Sequence, residues 1–296
     1  MSELDVLTEH FEAHRGHLRA VAYRMLGSLS EADDAVQETW LRASRAGTDD
    51  VENLGGWLTT VLARVCLNLL RSRRTRAEQP YGVHMPDPIV SRADGADPEQ
   101  QAVIADSVGL AMLVVLDTLT PAERLAFVLH DSFAVPFDEI AAIIPATPAA
   151  TRQLASRARR RVRQAPTPDR DPARQREAVD AFFAASRDGD LSALVAVLHP
   201  DVVLRSDGGA GRPAASVSLR GAQEVAGNAV TYAGLAPFAR RVFINGAPGV
   251  VVVPQHAPVS VMAFTVSDGL IVAIDVLADP DRLRLLDPST WAASAQ

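Results

Sequence analysis

Lysine is missing from all 296 residues, so each of the 29 basic side chains is arginine. Arginine codons are GC-rich, and the bias by itself says little about function. Cysteine occurs once, as Cys66 in an apolar stretch. That excludes an intramolecular disulfide and a zinc site built from cysteines, and it agrees with a reducing compartment. No apolar run approaches the ~20 residues that cross a bilayer. The acidic start Met1-Ser2-Glu3-Leu4-Asp5 lacks the basic-then-apolar pattern of a signal peptide. A soluble, cytoplasmic protein with no membrane partner is expected. A Walker-type phosphate loop, a Gly-x-Ser-x-Gly elbow and a His-Glu-x-x-His zinc motif are all missing. No enzyme, catalytic residue, metal or other cofactor is therefore assigned. His10, His14 and His17 share a helical face but have no carboxylate or cysteine fixed beside them, so they read as a solvated face. Proline is absent before Pro80, which leaves the first quarter free to be helical.

A hydrophobic fraction of 48% is enough for real cores, and the length suggests two or three domains at roughly 100–150 residues each. The net charge of −7 argues against nucleic acid, but its distribution argues for it. Six arginines and no acid lie between Arg152 and Arg163, and Arg71, Arg73, Arg74 and Arg76 form a second cluster. Each cluster reads either as a phosphate-contacting surface or as arginines complementing a helix C-terminus.

Helical spacing organises the first half. One helix carries Leu18, Val21, Ala22, Met25 and Leu26. Another starts at Ser28 or Ser30 and ends near Gly47, and a third follows Gly55-Gly56 and ends in arginines. The prolines and glycines of residues 77–101 read as a linker without regular structure. Residues 103–116 read as an apolar helix. Thr120-Pro121-Ala122-Glu123 is a capping-box start for a helix burying Leu125, Val128 and Leu129. A short helix at 136–144, a turn, and a second capped helix from Thr147 to about Arg163 make a helix-turn-helix, or else a plain two-helix hairpin with a basic surface. In the former, Ala149, Thr151, Arg152, Gln153, Ser156 and Arg157 face base edges, and Arg159, Arg160, Arg161 and Arg163 face phosphates; Ile140, Ile143, Leu154 and Val162 form its core. After a second proline-rich break the period changes. Helices at 173–187 and 190–198 precede strands at 202–206, 216–220, 240–244, 249–253, 259–266 and 270–276, an α+β pattern.

Ala32-Asp33-Asp34-Ala35-Val36-Gln37-Glu38-Thr39-Trp40-Leu41-Arg42 resembles the signature of sigma region two. Leu116-Asp117-Thr118-Leu119-Thr120-Pro121-Ala122-Glu123-Arg124-Leu125-Ala126-Phe127 resembles the opening of sigma region four, with Phe137-Asp138-Glu139-Ile140-Ala141 and Ser156-Arg157-Ala158-Arg159 as its bracing and recognition motifs. The chain is identified as a member of the extracytoplasmic-function (ECF) RNA polymerase sigma factors. The resemblance implies two all-α modules: region two at 1–76, then, after the 77–101 linker, a helix-turn-helix region four at 102–164. The implied partners are core RNA polymerase and promoter DNA, double- and single-stranded. Asp33, Asp34, Gln37 and Glu38, on one helix face, are implied to dock on the polymerase. The stretch from Gly56 to Arg71 resembles the element that opens the minus-ten region, which implies Trp57, Thr60, Arg64, Asn68, Arg71 and Arg74 as DNA-binding there, with Arg73 a further phosphate candidate. Val65 and Asn68 depart from the family's amide and acid. Trp57 reads equally as a base-stacking platform and as a core residue. For the minus-thirty-five element the implied set is Thr151, Arg152, Gln153, Ser156, Arg157, Arg159 and Arg160.

Residues 172–290 resemble a SnoaL-like (NTF2-like) cone, an α+β fold that hosts enzymes and non-catalytic modules alike. The SigJ-like, forty-first ECF subgroup carries this appendage. Its two motifs are matched by Asp207-Gly208-Gly209-Ala210-Gly211, which loses a lysine, and by Asp279-Pro280-Asp281-Arg282-Leu283. Its linker motif is loosely matched by Tyr81-Gly82-Val83-His84-Met85-Pro86-Asp87-Pro88, where Met85 replaces an aromatic. The resemblance implies regulation in cis, with Asp207, Gly208, Gly209, Asp279, Pro280, Asp281 and Arg282 as regulatory residues and no separate anti-sigma factor required. A small ligand in the cone is a further option. The alternatives are a helix-turn-helix regulator with a ligand-sensing domain, and an isomerase- or cyclase-like enzyme using Asp207 or Asp275 as base.

Overall fold

The computed structural model describes residues 3–47, 51–75, 83–93 and 109–292. They fall into two units, one comprising Met1–Glu78 and Met112–Ala165, the other Gln79–Ala111 and Pro166–Gln296.

The first unit is helical. Helices α1 (Glu3–Leu26), α2 (Leu29–Ala46) and α3 (Leu54–Thr75) share a core in which Leu18, Val21 and Met25 of α1 meet Ala32, Ala35 and Val36 of α2 and Leu58, Leu62 and Cys66 of α3, all buried. Ser28 caps α2, its hydroxyl accepting from the Glu31 amide. Helix α3 starts one residue before the glycine pair instead of after it. Asn53 provides the cap, its Oδ1 accepting from Gly56 N at 3.0 Å. A Cβ at position 55 would fall 2.5 Å from the His14 ring, so a larger residue there would have to displace that side chain.

The remaining helices of this unit are α4 (Leu110–Asp117), α5 (Pro121–Phe127), α6 (Phe137–Ile143) and α7 (Pro148–Gln164). The beginning of the expected 103–116 helix lies outside the described residues. The capping box of α5 is complete: Thr120 Oγ1 accepts from Glu123 N at 3.3 Å, and Glu123 Oε2 accepts from Thr120 N at 3.1 Å. Leu125, Val128 and Leu129 are fully buried as expected. The chain overruns α5 in one π-helical turn, Val128–Ser132. Buried Arg124 ties α5 to its neighbours, donating to the Arg24 carbonyl at 3.0 Å and pairing with Asp117.

The second unit is α+β. Helices α8 (Pro172–Asp188), α9 (Leu191–Val197) and α10 (Ala222–Thr231) accompany one sheet. Its strands are β1 (Val90–Arg92), β2 (Leu198–Asp207), β3 (Val217–Arg220), β4 (Ala239–Ile244), β5 (Ala247–Val252), β6 (Ser260–Ser267) and β7 (Leu270–Leu277). Their order is β1-β4-β5-β6-β7-β2-β3, antiparallel except for β2 against β7. Phe182, Leu194, Val225 and Phe264 centre its core. The six expected strands are present within a few residues. Helix α10 and strand β1 are among the elements not anticipated. Helix α10 carries Gly227 and β-branched residues, which mask its period. Strand β1 lies in the stretch expected to be irregular: Val90 pairs with Ile244 and Arg92 with Val242. Proline forbids central strands but suits the entry to an edge strand, and Pro86 and Pro88 lead into this one.

Candidate functional site

In the first half of α2 the acidic residues point away from the core. Asp33, Asp34 and Gln37 are exposed and Glu38 is half-buried, while Ala32, Ala35, Val36 and Thr39 face inward. Helical spacing gathers the four polar side chains on one face. Arg19 donates to Asp33 at 2.6 Å, and Arg42 donates to Glu38 at 2.7 Å.

Helix α3 presents a second stripe. Trp57 and Thr60 are half-buried, and Arg64, Asn68, Arg71 and Arg74 are exposed. The members stand three or four residues apart, so they share one face. Arg73 does not belong to it. Its guanidinium donates to the Leu26 carbonyl at 3.2 Å and pairs with Glu31, which makes it a brace between helices and corrects its reading as a phosphate contact. Cys66 is fully buried, and burial pushes its thiol up to about 12, well away from reactive thiolate chemistry.

Along α7 the exposed residues include Ala149, Arg152, Gln153, Ser156, Arg157, Arg160, Arg161 and Arg163. Thr151 is completely buried and its hydroxyl donates to the Thr147 carbonyl at 3.0 Å, so the expectation that it reads bases is corrected. Cores are built from the side that lacks long polar chains, and here Thr151, Ala155 and Ala158 take the places expected for Leu154 and Val162, which are half-buried. Arg159 is drawn to Asp131 at 2.7 Å, and Arg161 donates to the Thr118 carbonyl at 2.9 Å; both fix the helix to its own module.

In the second unit the two short motifs converge on the described part of the linker. Asp207 ends β2 and is nearly fully buried. Its Oδ2 accepts from the Met85 amide at 2.9 Å and from Arg282 at 2.8 Å, and its Oδ1 accepts from Gly209 N at 3.0 Å. Arg282 lies on the one-turn helix α11 (Pro280–Leu283), capped by Asp279. Its guanidinium also donates to Asp87 at 2.8 Å and to the Met85 carbonyl at 2.6 Å. Gly209 has φ +60°, and a Cβ there would fall 2.2 Å from the Asp279 carboxylate. The glycine thus lets the two motifs touch. Of the residues expected here, Asp207, Gly208, Gly209, Asp279, Pro280 and Arg282 are brought together; Asp281 is exposed and pairs with Arg284.

Met85 and Asp87 belong to the linker run matched in the sequence, although no partner was assigned to either; Ile89 and Asn245 were passed over. Met85 is 1% exposed. Ile89 N donates to Asn245 Oδ1 at 3.0 Å and its carbonyl accepts from Asn245 N at 2.8 Å. The available signal was Asn245-Gly246, a strong hairpin dipeptide whose asparagine has a side chain to spare for a neighbour.

The acids considered as bases are both engaged. Asp275 meets Arg205 through two hydrogen bonds of 2.7 and 3.2 Å. Burial raises its carboxyl above the ordinary value, and Arg205 pulls it partway back. Neither Asp275 nor Asp207 lines the cavity of this unit, a space of about 220 Å³ walled by Phe182, Phe183, Leu204, Met262 and Val276.

Residues 10–76 match the family model for sigma-70 region 2. The chain is 40% identical over 288 residues to the ECF RNA polymerase sigma factor SigJ of Mycobacterium tuberculosis, covering 92% of this chain and 91% of that protein. It is 36% identical over 289 residues to the probable ECF RNA polymerase sigma factor SigI of the same species, covering 96% and 97%. The crystal structure of M. tuberculosis SigJ superposes with a TM-score of 0.75 and 38% identity, over 93% of this chain and 97% of that one. No described helix is long and apolar enough to cross a membrane.

Proposed function

Since the chain belongs to the extracytoplasmic-function RNA polymerase sigma factors, we propose a division of labour among its surfaces and a built-in control of them. As a sigma factor it binds core RNA polymerase and directs promoter recognition. In our reading, Asp33, Asp34, Gln37 and Glu38 dock on a basic surface of the polymerase, as an exposed acidic helix face is suited to do. The α3 stripe of Trp57, Thr60, Arg64, Asn68, Arg71 and Arg74 meets the minus-ten region, with Trp57 as the stacking surface for an unpaired base. Arg152, Gln153, Ser156 and Arg157 on α7 read the minus-thirty-five element in the major groove, and Arg160 contacts phosphate. Residues 1–76 and 102–164 act as the two promoter-directed modules, and 172–290 as the regulatory domain.

The finer reading is regulation in cis. One observation carries it: the buried Asp207 carboxylate receives the Met85 amide and Arg282 together, so the linker that separates the two sigma modules in sequence is held by the appended domain. A linker with its backbone bonded has fewer arrangements to offer the modules it joins. A tethered domain acts at high effective concentration, and no separate anti-sigma factor is required for this control. The appended domain works without catalysis, in keeping with the engagement of Asp207 and Asp275 in ion pairs. The protein works where the polymerase is, in the cytoplasm.

In vitro transcription on genomic fragments tests this, comparing full-length protein, a truncation before Pro172, and Asp207→Ala, each with core polymerase. Promoter-dependent transcripts that change at least severalfold on truncation, with Asp207→Ala moving the same way, are expected. Transcripts insensitive to both changes would refute control in cis, and their absence from every lane would refute the assignment of the promoter-reading surfaces.

A further inference from the structure

The cavity of the second unit has a use that the clamp does not explain. Its volume of about 220 Å³ is far above the ~15 Å³ that one water needs. Two aromatic rings, Phe182 and Phe183, stand edge to face at its wall with centroids 5.6 Å apart. Tyr232 lies at its mouth, 56% exposed. The polar lining groups are neutral, Ser206, Asn228 and Ser260 among them, except for Arg212. No carboxylate lines the space, and among the described residues none pairs with the Arg212 guanidinium. An apolar pocket with a few convergent polar groups is the form that small-molecule sites take. A lone cation at the mouth of such a pocket selects the sign of the guest's charge.

The cavity and the clamp share one short turn. Asp207, which holds Met85 and Arg282, begins it, and Arg212, which lines the cavity, ends it. Between them there is little slack. Arg212 N donates to the Gly208 carbonyl at 3.1 Å, and Gly208 N donates to Ser216 Oγ at 3.0 Å. A Cβ on Gly208 would lie 2.0 Å from the Arg212 carbonyl oxygen. The β7 side is equally tight: Val276 and Ala278 line the cavity while Ala278 N donates to the Asp207 carbonyl at 2.7 Å. Close-packed segments of this kind shift together.

We propose that this cavity binds a small apolar molecule bearing one negative charge, its body against Phe182 and Phe183 and its charge at Arg212, and that occupancy is transmitted to the linker through the 207–212 turn. The binding half stands independently of the sigma-factor reading; the transmitted half rests on the clamp's role in it.

Two fluorescent probes on the full-length protein test the binding half. They are 1-anilinonaphthalene-8-sulfonate and N-phenyl-1-naphthylamine, which has the same rings without the sulfonate. The sulfonate is expected to bind ~10-fold or more tighter, the scale of a charge-assisted hydrogen bond. Arg212→Met, at an exposed position, should abolish that preference and leave the neutral probe within about twofold. Val276→Phe should reduce binding of both probes, and Leu235→Trp, at a half-buried lining position, provides the same test should Val276→Phe melt early. Equal affinity for the two probes, a preference that survives Arg212→Met, or undiminished binding to a filled variant that folds would overturn the site. For the transmitted half, hydrogen exchange of the Met85 amide is compared with and without saturating sulfonate probe. A severalfold change that disappears in Arg212→Met is expected, and an unchanged rate overturns the coupling. None of these readouts involves polymerase, so their failure is distinct from a failure in transcription.

Discussion

Arginine is placed in two opposite ways in this molecule. On α7, Arg157 and Arg160 stand in solvent, while exposed Arg152 lies over the Phe137 ring at 5.7 Å. In the second unit, Arg282 has 18% of its side chain exposed and donates to Asp207, Asp87 and the Met85 carbonyl. The first arrangement leaves charge on offer and contributes little to the fold; the second consumes charge to hold backbone. Surface cations matter through what they attract, with a strength that salt screens. A desolvated, fully bonded guanidinium matters through what its loss would strand.

The largest effect should therefore follow from Arg282→Met. It leaves the buried Asp207 carboxylate without its cation and strips the Met85 carbonyl of a donor. Breaking one side of a buried pair costs about 3–5 kcal/mol. The expected outcome is a clear fall in the denaturation midpoint and faster hydrogen exchange at Met85. Adding Asp207→Asn should recover part of the loss, because the stranded charge is then removed; a double variant with strictly additive losses would show that the two residues do not act as a pair.

Arg157→Ala on α7 is the opposite case. Promoter affinity should fall about tenfold, within the ~1–3 kcal/mol of a base or phosphate contact, and a phosphate contact would also reduce the salt slope by about 1. Stability should move by no more than ~0.5 kcal/mol. Thr151→Ser sharpens the contrast within the same helix: it opens a small void in the core while keeping the hydroxyl, so it should alter melting and leave promoter selectivity unchanged. A promoter effect from Thr151→Ser without loss of stability would restore Thr151 to the reading face.

Such contrasts were only partly legible in the sequence. The capping box at Thr120 and Glu123 and the six later strands could be read because local chemistry decides them. The acidic face of α2 was readable for the same reason, since apolar spacing turns polar residues outward. Thr151 was misread because its type suits base contact and its partner, the Thr147 carbonyl, is a backbone group common to every helix. Arg73 was misread because Glu31, which takes it, is distant in sequence. Strand β1 and the clamp around Met85 were hidden for a related reason: their hydrogen-bond partners, Asn245, Asp207 and Arg282, lie more than a hundred residues away. Prolines flanking a three-residue strand look like a linker until the sheet that receives it is known.

A smaller effect is expected at Glu123. Burial raises its carboxyl, but the Thr120 amide and hydroxyl together with Arg161 and Arg157 outweigh that, and the net displacement is downward. A carboxyl lowered on folding adds stability above its unfolded value and loses it as pH falls through the folded one. Thermal midpoints measured from neutral pH down to about 3 should therefore drop more steeply below the ordinary glutamate value of about 4.3 in wild type than in Glu123→Gln. At neutral pH that variant should cost ~1 kcal/mol, the scale of a helix cap. Parallel pH profiles for the two proteins would mean the capping box holds no pH-dependent stability.

The smallest contrast lies within the acidic face itself. Asp33 is already bonded to Arg19, with 57% and 41% of the two side chains exposed. Asp34 is exposed and has no ion pair among the described residues. A polymerase cation that meets Asp33 must share or displace Arg19, and exposed pairs are worth only ~0.2–1 kcal/mol, so the exchange returns little. A cation that meets Asp34 gains the whole interaction. Asp34→Asn should accordingly weaken binding to core polymerase about threefold, and Asp33→Asn about half as much, both effects fading with added salt. Titration of labelled protein with core polymerase at two ionic strengths measures the order. The reverse order would mean that the Arg19 pair opens on docking and that Asp33 carries the contact.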